Sequence, residues 1–208
     1  MSVRPFGDRA FLVELEQRID PSIVDTARAI ADAWEERALG EAIAAYASVV
    51  LAFDPARTPW TDALAAATSL ASAPPPAAAP VAGRLIEIPT VYDGPDLAET
   101  AERSGLSIAE LIALHSGREY RAFFLGFMPG LAYCGLIDPL IDAPRLPAPR
   151  PRVPGGSVAI ANGQTIVYPA DSPGGWRLIG RTERKTFDPS REPAALIAAG
   201  DRVRFVPR

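Results

Sequence analysis

Proline sets the tightest limits on how this chain can fold, because it fixes φ, donates no backbone hydrogen bond and breaks helix interiors and central strands. The sequence has 22 prolines in 208 residues, concentrated in two places. In "SAPPPAAAPVAG", residues 72–83, Pro74, Pro75 and Pro76 rule out the helix that the alanines would otherwise favour, so the segment reads as an extended linker over 76–83. In "PRLPAPRPRVPGGS", residues 144–157, prolines 144, 147, 149, 151 and 154 alternate with Arg145, Arg150 and Arg152 and stop at Gly155-Gly156-Ser157. Several cations held on stiff backbone lose little entropy when they meet one anion, which points to a carboxylate or phosphate guest. The alternative is a solvated polyproline segment that covers a sheet edge or docks a partner.

The linker divides the chain into an N-terminal domain, 1–75, and a larger one, 84–208. In the first, "FGDRAFLVEL" (6–15) predicts a strand, and residues 21–39 predict a helix entered through Asp20-Pro21. "AIAAYASVVLAF" (42–53) reads as one strand, and "TPWTDALAAATSLASA" as a helix with Thr58 as N-cap and Pro59 at its first position. This is a small α/β sandwich. After the linker come a strand ("RLIEIPTVY"), two short glycine-terminated helices, and β-branched and aromatic runs, among them a hairpin at "ANGQ". The expected fold class is α+β, the second domain a β-barrel or sandwich with peripheral helices.

Bulk properties exclude several function classes. A formal charge of −4 gives no general grip on nucleic acid. No apolar run reaches membrane-spanning length and the first residues lack a signal-peptide pattern, so the expectation is a cytoplasmic protein with neither a nucleic-acid nor a membrane partner. Cys134, the only cysteine, precludes an internal disulfide, and His115, the only histidine, precludes a polyhistidine zinc site. Neither a P-loop nor an EF-hand pattern is present. A Ser–His–Asp triad would depend on His115, and no nucleophile elbow accompanies it.

His115 closes a predicted helix, where an imidazole can act as a general acid or base or simply favour the helix dipole. Three glycine-proline clusters lie between predicted strands, at 126–136, 153–160 and 168–176. Such loops make tight turns, and they also bring backbone N–H donors close to a ligand. Gly130, Gly155, Gly156, Ser157, Ser172, Gly174 and Gly175 are the candidate positions, with Tyr133, Tyr168 and Trp176 as apolar walls.

Taken in order, "GPDL" (94–97), "LHSGREYRAFFLGFMPGLAYCGL" (114–136), residues 144–182 and "AGDRVRF" (199–205) resemble the 5-oxoprolinase B-subunit family. That family includes KipI-type kinase inhibitors and proteins labelled allophanate hydrolase subunit 1. The resemblance is dense over 84–208 and weaker before it; Leu131, Cys134 and Gly155 depart from the usual family residues. It implies a cyclophilin-like barrel in the second domain and two partners of 5-oxoprolinase, the homologous C subunit together with the A subunit. It also implies an ATP-dependent opening of 5-oxoproline to L-glutamate, with Mg-ATP held by the complex or by this chain. His115 would then handle protons, and Arg145, Arg150 and Arg152 would contact anionic groups at the barrel mouth. The alternatives within the resemblance are inhibition of a sensor histidine kinase and action on allophanate or another urea derivative, for which no biotin-attachment motif is present in this chain.

Overall fold

The computed structural model describes residues 1–74 and 83–208, which fall in two compact units divided near residue 81. Apart from Gly83, the linker expected at 76–83 lies outside the described residues.

The N-terminal unit is a four-stranded antiparallel sheet covered by two helices. Strands β1 (Ser2–Pro5), β2 (Ala10–Glu14), β3 (Ala42–Ala44) and β4 (Ser48–Ala52) lie in the order β1-β2-β4-β3. Helix α1 (Pro21–Glu36) starts where Asp20 accepts the Ser22 N–H at 2.8 Å, as its Asp-Pro entry predicts. Helix α2 (Trp60–Ser72) begins one residue later than expected, with Pro59 rather than Thr58 at the cap position. Alternate residues of the strands, Phe11 and Val13 on β2 and Val49 and Leu51 on β4, meet Ile30, Trp34, Ala67 and Leu70 of the helices in one core. Trp34 also donates its indole N–H to the Ala52 carbonyl at 2.8 Å.

Two expectations are corrected in this unit. The strand expected at 6–15 is the second arm of a hairpin whose first arm, β1, precedes it. The single strand expected at 42–53 is itself a hairpin, β3 and β4, turning through Ala45–Ala47 with the Ala45 N–H bonded to the Ser48 carbonyl. Its turn contains no glycine, proline or asparagine, so its composition carries no turn signal.

The second unit is built on a seven-stranded sheet. It contains β5 (Leu85–Thr90), β6 (Tyr120–Leu125), β7 (Ala132–Gly135), β9 (Ser157–Ala161), β10 (Gln164–Val167), β12 (Arg177–Arg181) and β13 (Arg202–Pro207), in the order β12-β9-β10-β7-β6-β13-β5. Among the described residues only β5 and β13 pair in parallel. The two ends of the sheet meet where Val91 and Arg181 exchange backbone hydrogen bonds of 2.9 and 2.8 Å, closing the barrel. Next to this seam Gly94 lies against the Leu178 carbonyl so closely that a Cβ would collide with it. The β9–β10 hairpin turns at Asn162 and Gly163, both at positive φ, as the Asn-Gly pair predicts. An α+β chain with a barrel in its larger unit is therefore what the sequence folds into.

Helices α3 (Leu97–Arg103) and α4 (Ile108–Ser116) place Leu97, Ala101 and Leu111 in the core inside the barrel. Helix α4 opens with a full capping box between Ser107 and Glu110. A short two-stranded ribbon, β8 (Arg150–Val153) paired with β11 (Ser172–Gly174), packs Val153 against the outer face of the barrel sheet.

Candidate functional site

Strand alternation gives the barrel sheet two apolar faces, and the candidate site belongs to the outer one. On β10, Val167 lies in the inner core whereas Ile166, and Tyr168 just beyond the strand, lie in the outer cluster. On β9, Val158 and Ile160 point inward, Ala159 and Ala161 outward. Between this outer face and the proline-rich strap at 144–153 lies a cleft of about 390 Å³, within the range of small-molecule sites. Its walls are Tyr133, Tyr168 and Trp176, its floor Leu131 and Ile166, and its rim Phe127, Pro149 and the Pro173–Gly175 turn.

Arg145 is the one charged residue of that lining, its guanidinium 5.8 Å from the centre of the Trp176 ring. Residues on either side of it are anchored: the Leu146 N–H donates to the Gly175 carbonyl at 2.7 Å, and Arg177 Nε reaches the Pro144 carbonyl at 3.4 Å. Tyr133 meets Trp176 edge-on at 5.9 Å and stacks on Phe124 at 4.6 Å. Burial raises the pKa of both Tyr133 and Tyr168, against the field of Arg145, so both phenols stay protonated at neutral pH.

The expected convergence of three arginines is corrected. Arg150 turns from the cleft to Asp96, with 2.5 Å between Nη2 and the carboxylate, and its Nη1 lies 3.4 Å from the Trp176 carbonyl. Asp96 also accepts the Leu178 N–H at 2.6 Å, tying the strap to β12 from behind the cleft. Arg152 is exposed and makes a forked contact of 2.6 and 2.8 Å with Asp171. The Gly155 N–H, and after it Arg152, holds the Asp171 carboxyl below the usual carboxylate range. Adjacent positions on extended backbone face opposite ways, and acids distant in sequence claim two of the three cations.

The backbone donors expected at 155–157 are likewise engaged within the fold. Gly155 donates to Asp171, Gly156 to the Tyr168 carbonyl at 2.7 Å and Ser157 to the Pro154 carbonyl at 3.2 Å. Gly130, at positive φ, packs against Thr186 and Phe187 beside the cleft rather than in its lining. Ser172 is buried with its hydroxyl lacking a hydrogen-bond partner. Gly174 and Gly175 do line the cleft, with the Tyr168 hydroxyl against Gly174.

His115 lies on the other side of the sheet. It is fully buried, with Nδ1 2.7 Å from the Tyr92 hydroxyl, Nε2 2.9 Å from Thr165 Oγ1 and its ring 4.5 Å from Phe205. Burial, assisted by Arg118, pushes its pKa down to about 3, so it is neutral at physiological pH. The sequence could not separate a catalytic from a core histidine; this position is in the core, away from the cleft. Cys134 also faces inward, and burial pushes its thiol up to about 12. Of the three departures from the usual family residues, only Leu131 touches the cleft.

Sequence reading missed Phe127, Leu131, Pro149, Ile166 and Pro173 as lining, and Asp96 and Asp171 as arginine partners. Asp96 had a signal, since it is the acid of the "GPDL" motif. Two of the three expected cations are neutralised within the chain, and among the described residues no three acidic, histidine or cysteine side chains gather as metal ligands.

With this geometry established, comparison with known proteins decides the family. The model for the carboxyltransferase domain, subdomains C and D, matches residues 1–197. The chain belongs to that family. A relative from Escherichia coli O157:H7, named as the B subunit of 5-oxoprolinase, is 50% identical over 128 residues, 60% of this chain and 59% of the relative. The match thus spans less than two thirds of that relative's length. The solved structure of TTHA0988 is 38% identical with a TM-score of 0.83, covering 96% of this chain but 40% of that one. The urea amidolyase of Kluyveromyces lactis shares the fold of this carboxyltransferase-domain chain at 18% identity, with a TM-score of 0.75 over 99% of this chain and 15% of that enzyme. In both structures the domain forms part of a longer polypeptide. No described helix of this family member is long and apolar enough to cross a membrane.

Proposed function

We propose that this chain is the B subunit of an ATP-dependent 5-oxoprolinase and works with the homologous C subunit plus the A subunit. The observation that carries the reading is the 50% identity to a protein of that name. The cleft agrees with it, because it joins a guanidinium without a carboxylate partner to an aromatic wall, the pair of features that an acidic ring compound calls for. Opening the lactam breaks its C–N bond, with water supplying the oxygen of the new carboxylate and ATP driving the step. The cleft offers hydrogen-bond donors and no titrating base, so this chain binds and orients while nucleotide and bond-breaking groups come from the other subunits. TTHA0988, in which an equivalent of this chain is 40% of a longer polypeptide, is in keeping with work beside a further domain.

The test is glutamate release from 5-oxoproline in the reconstituted complex, omitting one component at a time. Release that requires ATP and this chain supports the proposal. An assembled complex that releases none overturns it and moves the weight to kinase inhibition or a urea-derived amide.

A further inference from the structure

The cleft contains an imbalance that its family membership does not explain. The arginines bordering it are neutralised, Arg150 by Asp96, Arg152 by Asp171 and Arg177 by Glu99, whereas Arg145 has no carboxylate partner among the described residues. Nor does any acid line the cleft. An anion arriving there displaces no internal partner and meets no like charge.

The backbone that carries this guanidinium is also anchored. Both chain neighbours of Arg145 are hydrogen-bonded to the β12 side of the cleft, and Pro144 and Pro147 restrict the backbone around it. The Trp176 ring beneath it supplies a flat apolar surface, and Tyr168 and Tyr133 extend that surface with neutral phenols. A charged end beside a flat wall matches a small ring that carries one carboxylate.

We propose that Arg145 binds the carboxylate of a small cyclic acid whose ring lies on Trp176, making Arg145 the residue by which this cleft selects a carboxylated lactam over a neutral one. The choice of 5-oxoproline as ligand rests on the proposed oxoprolinase role; the selection for a ring carboxylate does not.

Three probes separate the parts in NMR titrations of the full chain: 5-oxoproline, 2-pyrrolidinone (the lactam without the carboxylate) and tetrahydrofuran-2-carboxylate (the carboxylate without the lactam). The expected result is that 5-oxoproline shifts the backbone signals of Gly174, Gly175 and Trp176, with 2-pyrrolidinone weaker by about tenfold or more. Arg145→Gln then weakens 5-oxoproline by a similar factor and leaves both 2-pyrrolidinone and the unfolding temperature unchanged, because the side chain is exposed and has no ion pair to lose. Equal binding of the two lactams, an unaffected Arg145→Gln chain, or no shift at the cleft up to roughly 10 mM ligand overturns the inference. Binding of tetrahydrofuran-2-carboxylate without any preference for 5-oxoproline sustains carboxylate selection and counts against the oxoprolinase reading. Cleft binding of 5-oxoproline with no glutamate release in the complex likewise separates the two.

Discussion

Asp96→Ala is expected to destabilise the C-terminal unit by about 3–5 kcal/mol, the usual cost of removing one partner of a buried ion pair. The Asp96 side chain is 6% exposed and Arg150 27%, so deletion leaves a partly buried guanidinium without its counter-charge. It also strands the Leu178 N–H, which the carboxylate accepts at 2.6 Å inside the fold. For a domain of this size the loss lowers the unfolding temperature by on the order of 10 °C or more. The effect extends to the cleft, because Arg150 reaches the Trp176 carbonyl and Asp96 holds the adjoining strand. Asp96→Asn keeps an acceptor for Leu178 and loses only the charge, so its expected cost is about half. Thermal unfolding by circular dichroism measures both; an alanine variant within about 1 kcal/mol of the parent would contradict the network as described.

Lowering the pH from 6.5 towards 3 is expected to destabilise the parent more steeply than a His115→Gln variant. The folded histidine titrates at about 3 and the unfolded one near its ordinary value of 6.5. Between those values the unfolded chain carries a proton that the folded chain refuses, so stability falls as pH falls. Above 6.5 both states are neutral and the group contributes no slope; below about 3 both are charged and the slope ends. The extra slope is at most about 1.4 kcal/mol per pH unit, which accumulates to several kcal/mol over the window. Native carboxylates such as Asp171 and Asp201, whose pKa values are lowered, add slope of the same sign in both proteins and cancel in the difference. Unfolding curves at several pH values that run parallel for the two proteins would refute this account. At pH 7 the same substitution is expected to leave 5-oxoproline binding at Arg145 unaltered, since the barrel sheet separates the two groups.

The two predictions probe opposite faces of one sheet. Inside, His115, Tyr92, Thr165 and Tyr120 form a closed polar group in an apolar core, with the Tyr120 hydroxyl bonded to the His115 carbonyl at 2.7 Å. Outside, Arg145 faces solvent over Trp176 with its cation uncommitted. A neutral buried imidazole suits stability, and an exposed guanidinium on anchored backbone suits recognition.

Much of the fold was legible from local chemistry. Asp20-Pro21 opens α1, Gly117 closes α4, and Asn162-Gly163 turns the β9–β10 hairpin, because each depends on residues only a few positions apart. Strands β7 and β11 were hidden inside the glycine-proline clusters and β8 inside the proline-arginine strap, where composition reads as loop and only pairing with distant segments makes a strand. The β3–β4 hairpin stayed hidden for the converse reason, its turn being built from residues that strands also use.

The ordered motifs by themselves carried the family resemblance, the aromatic walls and the presence of a stiff cationic strap, all properties of residue type and order along the chain. Only the tertiary structure decided that Arg145 faces the cleft while Asp96 and Asp171 take Arg150 and Arg152, and that His115 lies in the core. Those outcomes depend on which side of a strand each residue occupies and on partners 19 to 54 positions away, relations that closure of the barrel creates and that residue type and local spacing do not encode.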